Sequence, residues 1–368
     1  MRETEAVGEA RRAMEICNAC RYCEGYCAVF PAMELHRDFA AADLSYLANL
    51  CHGCAGCFHA CQYAPPHEFG INVPATFATV RAESYAAHAW PAPFTRLFAR
   101  SGTLLAAVCA LGIAAILLLL AMLQSGPAIF GTHAGPGAFY AVIPYGAMVD
   151  VASIAFLYSL LALAMGTRNF WRESGANGPV IPALPRALHD ALTLRNLGGG
   201  GDGCPYPTEA FSQARRLFHH AMFYGFLLCF AATSVATIDH HLLGLFAPYP
   251  WASLPVLLGG AGGLAMILGT AGLIYLKIIA DPAPIARAAL GGEYALLALL
   301  FLVALTGLVL LALRGTGAMG VLLAVHLGCV LALFLVLPYS KFVHAPYRAA
   351  ALLRAAMQRH AEARETPR

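Results

Sequence analysis

Apolar residues crowd the chain in six windows, 102–124, 144–166, 217–238, 254–279, 293–313 and 318–338. Each is about as long as the roughly 20 residues a membrane-spanning helix needs. Pro, Gly, polar or charged residues bound every window, and 101–149 contain no Asp, Glu, Lys or Arg at all. Residues 1–100, by contrast, carry an ordinary density of charge. The pattern predicts a polar domain over 1–100, a six-span membrane domain over 101–345 with its boundary near Arg100, and a polar tail over 346–368. Within "ELHRDFAAADLSYLANL" apolar residues fall at 35, 39, 44, 47 and 50, a partly helical period. The polar domain is therefore expected to be helical as well, which makes the fold class all-α.

Composition sharpens this picture. Of 368 residues 59% are hydrophobic and 12% charged, against about 25% charged in a soluble domain. Basic residues sort to one side. Arg96, Arg100, Arg168, Arg172, Arg186, Arg195, Arg215, Arg216, Lys277, Arg287, Lys341, Arg348, Arg354 and Arg359 lie in alternate connections and nearby span ends, whereas 125–143, 239–253 and 314–317 hold only Arg314. The positive-inside rule then predicts a multi-pass protein of a bacterial inner membrane, with both termini and the polar domain in the cytoplasm. The opening "MRETEAVGEARRAMEIC" lacks the apolar core of a secretory signal. A net charge of +3 gives no reason to expect a nucleic-acid partner. The long connection 167–216, with amphipathic "LPRALHDALTLRNL" and loop-like "GGGGDGCPYP", is expected either to dock the cysteine domain or to lie on headgroups. In span four, Gly259 with Gly263 and Ala265 with Gly269 point to close helix packing.

Two cysteine ladders carry the first chemistry. "EICNACRYCEGYCAVFP" places Cys17, Cys20, Cys23 and Cys27, and "LCHGCAGCFHACQYAPP" repeats the spacing at Cys51, Cys54, Cys57 and Cys61. The run C-x2-C-x2-C-x3-C is that of [4Fe–4S] ferredoxins, in which the fourth cysteine ligates the other cluster. The expected assignment is Cys17, Cys20, Cys23 and Cys61 for one cube, and Cys51, Cys54, Cys57 and Cys27 for the second. Zinc knuckles would leave half of each ladder unexplained, and a reducing cytoplasm disfavours disulfides. The usual Cys-Pro ending is absent, since Ala28 and Gln62 follow the last cysteines. His36, His52, His59 and His67 are expected to support the clusters or face solvent. Cys109, Cys229 and Cys329 read as apolar core residues, and Cys204 has no assigned role.

Histidines inside spans are functional candidates. Span three carries His219, His220, His240 and His241 near its ends, and span six carries His326 with His344 beyond it. A haem b takes two axial imidazoles from facing helices. From 219 to 240 is about 31 Å of helix and from 326 to 344 about 27 Å, if the helix continues past Pro338. Antiparallel spans would bring His219 to His344 and His240 to His326, a stack of one or two haems. By angular phase His219 pairs better than His220 with His240, and His220 with His241 is equivalent. Asp150 and Asp239 are expected to be interfacial carboxylates.

The segments "ICNACRYCEGYCAVFPAM", "LANLCHGCAGCFHACQYAPPHEFGINVP", "RRLFHHAMFYGFLLCFAATSVAT" and "LPYSKFVHAPYR" resemble the tricarballylate/citrate-utilisation protein B family, over about residues 14–350. The membrane half is similar, more loosely, to haem b subunits of nitrate reductase and heterodisulfide reductase complexes. The resemblance implies His219, His326 and His344 as haem ligands. It also implies a role: reoxidising the reduced flavin of a cytoplasmic FAD-dependent dehydrogenase of tricarballylate or a related tricarboxylate, and passing electrons to membrane quinone. No nucleotide-binding fingerprint is present, so the chain is expected to be the electron-transfer subunit of an oxidoreductase. Two other roles fit the same motifs: a quinol-to-cytoplasmic-reductase conduit of the heterodisulfide reductase kind, and a redox sensor or cobalamin-pathway accessory.

Overall fold

The computed structural model describes residues 1–94, 101–199 and 201–365. Arg96, Arg100 and the boundary read there lie outside the described residues. The chain runs α1 (Glu5–Cys20), α2 (Val29–Met33), α3 (Ala41–Leu50), α4 (Gly56–His59), α5 (Val73–His88), α6 (Ser101–Leu123), α7 (Gly126–Phe130), α8 (Ala138–Val142), α9 (Tyr145–Glu173) and α10 (Leu184–Leu192). A two-residue hairpin ladder, β1 (Cys204–Pro205) antiparallel to β2 (Phe211–Ser212), follows. Then come α11 (Ala214–Leu243), α12 (Leu254–Ile278), α13 (Arg287–Leu313), α14 (Met319–Val336) and α15 (His344–Glu365). The fold is all-α apart from that ladder. Helices α6, α9, α11, α12, α13 and α14 are long and apolar enough to cross a membrane, as the six windows predict.

Local sequence sets the helix ends that matter. Thr4 caps α1 by accepting from the Val7 N–H, and Arg21, in the left-handed region at φ 56°, closes it by donating its N–H to the Cys17 carbonyl. Asn72 accepts from Ala75 N at the start of α5, where Pro74 costs no intrahelical bond. Pro338 ends span six, because proline has no N–H to offer and its ring crowds the preceding turn. Leu337–Tyr339 tightens to a 3₁₀ turn, Ser340 is extended, and a new helix starts at His344. Continuous helix from His326 to His344 is therefore not what the chain forms, and the phase relation between them does not apply.

The connections gather at two ends. On one, Gly137 N donates to Ala247 O (2.8 Å) and Arg314 donates to Tyr249 O (2.6 Å) while lying over the Trp251 ring. On the other, Asn72 donates to Ala283 O (2.8 Å) and Asp281 N to Pro207 O (2.8 Å). Helix α15 is no free tail. Tyr347, Ala351, Leu352 and Ala355 share one core with Val7, Met14, Phe30, Leu47 and Phe77 of the cysteine domain and Phe170 of α9. The 167–216 connection docks there too: Ala183 and Ala187 pack on Ala356 and Met357, and Leu197, Cys204 and Tyr206 pack on Cys54.

Glycine lets α11 and α12 touch. A methyl on Gly269 would lie 2.3 Å from Met222 N, and one on Gly262 would lie 2.8 Å from Gly225 O. Close packing is as expected: Gly259 and Gly269 face α11 together with Gly262 and Gly272, whereas Gly263 turns to Leu308 of α13.

Candidate functional site

Cys17 and Cys20 occupy the last turn of α1, Cys23 the turn after it, and Cys27 the approach to α2. Cys51 caps the C-terminus of α3. Left-handed Gly53 and Ala55 then fold the chain so that Cys54, Cys57 of α4 and Cys61 follow closely. A cavity of about 310 Å³ between the ladders is lined by Cys17, Cys20, Cys23, Cys57 and Cys61. Burial, then the neighbouring Cys23, Cys61 and Cys20, push the Cys17 thiol up to about 12. Cys27 is raised by burial and then by Cys54 and Cys51. Each of these thiols thus has neighbours from the other ladder. Among the described residues no three His, Cys, Asp or Glu side chains are placed to hold a single metal ion. Thiols spread around a cavity fit a cube, whose core keeps its ligands apart, better than one tetrahedral ion.

Sequence reasoning left Cys204 without a role. It is fully buried, donates to Leu197 O (3.0 Å) and packs against Cys54. His52 is buried and bonds Leu50 O through Nδ1 (2.8 Å); His36 faces Asp43 (3.5 Å), and His59 faces Glu209 (3.8 Å).

His219 of α11 and His344 at the head of α15 face each other, ring centroids 6.2 Å apart and planes crossed at 82°. Two metal–nitrogen bonds of about 2 Å, plus about 1 Å from each nitrogen to its ring centre, give a similar span. His344 Nδ1 donates to Lys341 O (2.5 Å), which leaves Nε2 with a free lone pair. Burial, and then Arg348, hold that imidazole neutral, far below its usual range. His220 instead turns to the 192–193 carbonyls and Tyr224. The donor pair His219/His344 fits a bis-imidazole haem.

The other end differs. The Thr306 hydroxyl donates to Leu302 O (2.7 Å), so it accepts from His326 Nδ1 (3.1 Å) and again frees Nε2. His240 and His326 make no ring contact. His240 stacks on Tyr145 (3.8 Å between centroids, 11°), with Nδ1 3.2 Å from the Tyr140 hydroxyl, and His241 Nε2 is 2.8 Å from the Tyr145 hydroxyl. Tyrosines from α8 and α9 thus hold both imidazoles of that doublet.

Between the cysteine and histidine sites lie basic residues that sequence reading had assigned only to membrane orientation. Arg215 of α11 donates to His52 O (3.0 Å) and Gly53 O, and Arg348 of α15 to Cys51 O (2.7 Å). Each stands four residues, one helical turn, from His219 or His344. That spacing was the available signal. Lys341 bonds Glu293 (2.6 Å), which also pairs with Lys277.

Comparison with known proteins finds one family along both parts of the chain. A family model described as "Citrate utilization protein B" matches residues 98–365, and one described as "Citrate utilization protein B Fer4-like domain" matches 10–87. A protein of Escherichia coli named "Citrate utilization protein B" is 46% identical over 364 residues, covering 97% of this chain and 93% of that protein. No solved structure matches.

Proposed function

The chain belongs to the citrate utilization protein B family, and on that premise we propose that it is a membrane electron carrier for tricarboxylate utilisation. It takes electrons from the reduced flavin of an FAD-dependent dehydrogenase of tricarballylate or a related tricarboxylate. It delivers them, through two [4Fe–4S] clusters and haem b, to membrane quinone. The clusters and haem supply one-electron chemistry when bound; the chain supplies their placement. Cys17, Cys20, Cys23 and Cys61 hold one cube, and Cys51, Cys54, Cys57 and Cys27 the other. His219 and His344 hold a haem at the cytoplasmic end. A second haem would take His326 and draw His240 off its stack on Tyr145.

The observation that carries this reading is the adjacency of the two sites. The backbone of the second ladder is bonded by Arg215 and Arg348, each one turn from a histidine of the facing pair. Basic residues at that end support its assignment to the cytoplasmic side of a bacterial inner membrane. An apolar cleft lined by Ile116, Leu120, Val142, Met148, Leu327 and Leu331 has no titratable side chain, so it suits a hydrocarbon chain better than a quinone head.

The test is anaerobic. Purified chain is reduced with limiting dithionite and mixed with a short-chain quinone, while the haem and cluster absorbances are followed. Reoxidation of both is expected, with loss of cluster reoxidation in His344→Ala. A reduced protein that quinone leaves untouched, or one that quinol reduces in preference, contradicts the proposed direction.

A further inference from the structure

Three arginines from three helices converge on the backbone of one cysteine ladder. Arg81 of α5 is buried and donates to the carbonyls of Ala48 (2.8 Å) and Cys51 (2.7 Å). Arg348 of α15 donates to Cys51 O (2.7 Å) and Asn49 O (3.3 Å), and Arg215 of α11 to His52 O (3.0 Å) and Gly53 O. All the acceptors lie within 48–53, the segment that carries Cys51 and leads into Cys54. They are neutral carbonyls, so the three positive charges are not cancelled by these bonds. The nearby carboxylate, Glu293, is already bridged by Lys277 and Lys341.

Among the described residues the first ladder has no comparable set of bonded arginines. Arg21, next to Cys20 in sequence, is exposed and donates to Asn18 O (3.1 Å). The uncharged Gln62 amide lies 4.0 Å from Cys20 Sγ. An exposed charge is screened by water and salt, whereas a buried or half-buried one is screened much less.

Resting on the cluster assignment of the proposed function, we infer that Arg81, Arg215 and Arg348 make the two cubes electrically unequal. They raise the reduction potential of the cube on Cys51, Cys54, Cys57 and Cys27 above that of the cube on Cys17, Cys20, Cys23 and Cys61. Reduction adds one negative charge to a cube, and uncancelled cations beside it favour that charge. Burial of Cys51 and Cys54 opposes the effect by withholding hydration. The same low dielectric strengthens each arginine's field, and three cations against one added electron decide the sign. With both cubes bound, one electron would pass from the first, oxidising it, to the second, reducing it. The second cube is the one beside His219 and His344. The half-buried first ladder is the inlet, and the arginines act as positioning residues that set the direction.

The test is a potentiometric titration of the anaerobic full-length protein in detergent, read by electron paramagnetic resonance. Two separate midpoints are expected. Cys20→Ser should remove the lower-midpoint signal and keep the upper. Arg348→Gln and Arg81→Gln should each shift the upper midpoint down and leave the lower one in place, and Arg348→Lys should keep the upper midpoint near the wild-type value. Coincident wild-type midpoints, loss of the upper signal in Cys20→Ser, or Gln variants that move both midpoints or neither would overturn the inference. Absence of two cubane signals in the wild-type protein would overturn the proposed function, and the inference with it.

Discussion

Burial and a single carbonyl decide what His344 can do. Its Nδ1 is committed to Lys341 O and its charged form is disfavoured, so the imidazole presents one neutral, directed donor toward His219. His344→Ala or His219→Ala should each remove about the same share of the haem absorbance, and His220→Ala none; equal losses from all three would show that the doublet is not discriminated. Phase alone left 219/240 and 220/241 equivalent; the family resemblance pointed to His219, the doublet member that the fold turns toward His344. The thiols give a pH prediction. Burial and neighbouring thiols push Cys17 up to about 12 and Cys23 up to about 11, so without metal both keep their protons at neutral pH. Ligation releases those protons, so rising pH favours the loaded state and falling pH the empty one. Iron retention against a fixed chelator should therefore increase from about pH 6 to about pH 9, and a flat profile would contradict the raised thiols.

At the scale of elements, the α11–α12 seam and α15 are the informative cases. Small residues spaced along span four announce close packing, yet spacing cannot say which face of α12 meets α11; only the partner helix fixes Gly262 and Gly269 as the seam. Gly269→Ala puts a methyl against the Met222 backbone, which cannot yield as a flexible side chain would. The expected cost is about 1–3 kcal/mol, read as a lower thermal midpoint in detergent, while Gly260→Ala, open to within 4 Å, should leave it unchanged. Helix α15 misled sequence reading differently. In the sequence Arg348, Arg354 and Arg359 spoke only to membrane orientation and 346–368 read as a tail, whereas Arg354 lies over the Tyr46 ring (3.9 Å) and Arg359 faces Asp190 (3.5 Å), while the alanines between them enter the core. Truncation after residue 343 should expose the cysteine domain to limited proteolysis; unchanged protection would show that α15 is dispensable to it.

Across the whole molecule, the order of hydrophobic windows and ladders was legible because spans and C-x2-C runs are signals written in consecutive residues. The contacts that join them were not, since Arg81, Arg215, Arg348 and Cys204 come from four separate stretches and meet only in the fold. Asymmetry of Lys and Arg predicted two unlike ends, and the connections do gather that way, with Arg314 bonded to Tyr249 at the basic-poor end. That one chain holds both cluster and haem sites is checked by a dithionite-reduced-minus-oxidised spectrum of the anaerobically purified full-length protein, with iron, acid-labile sulfide, zinc and haem quantified on the same sample. About eight cluster irons per chain, four for each cube, together with the α band of haem b, are predicted. Stoichiometric zinc in place of iron, or cluster iron without any haem band, would contradict the account.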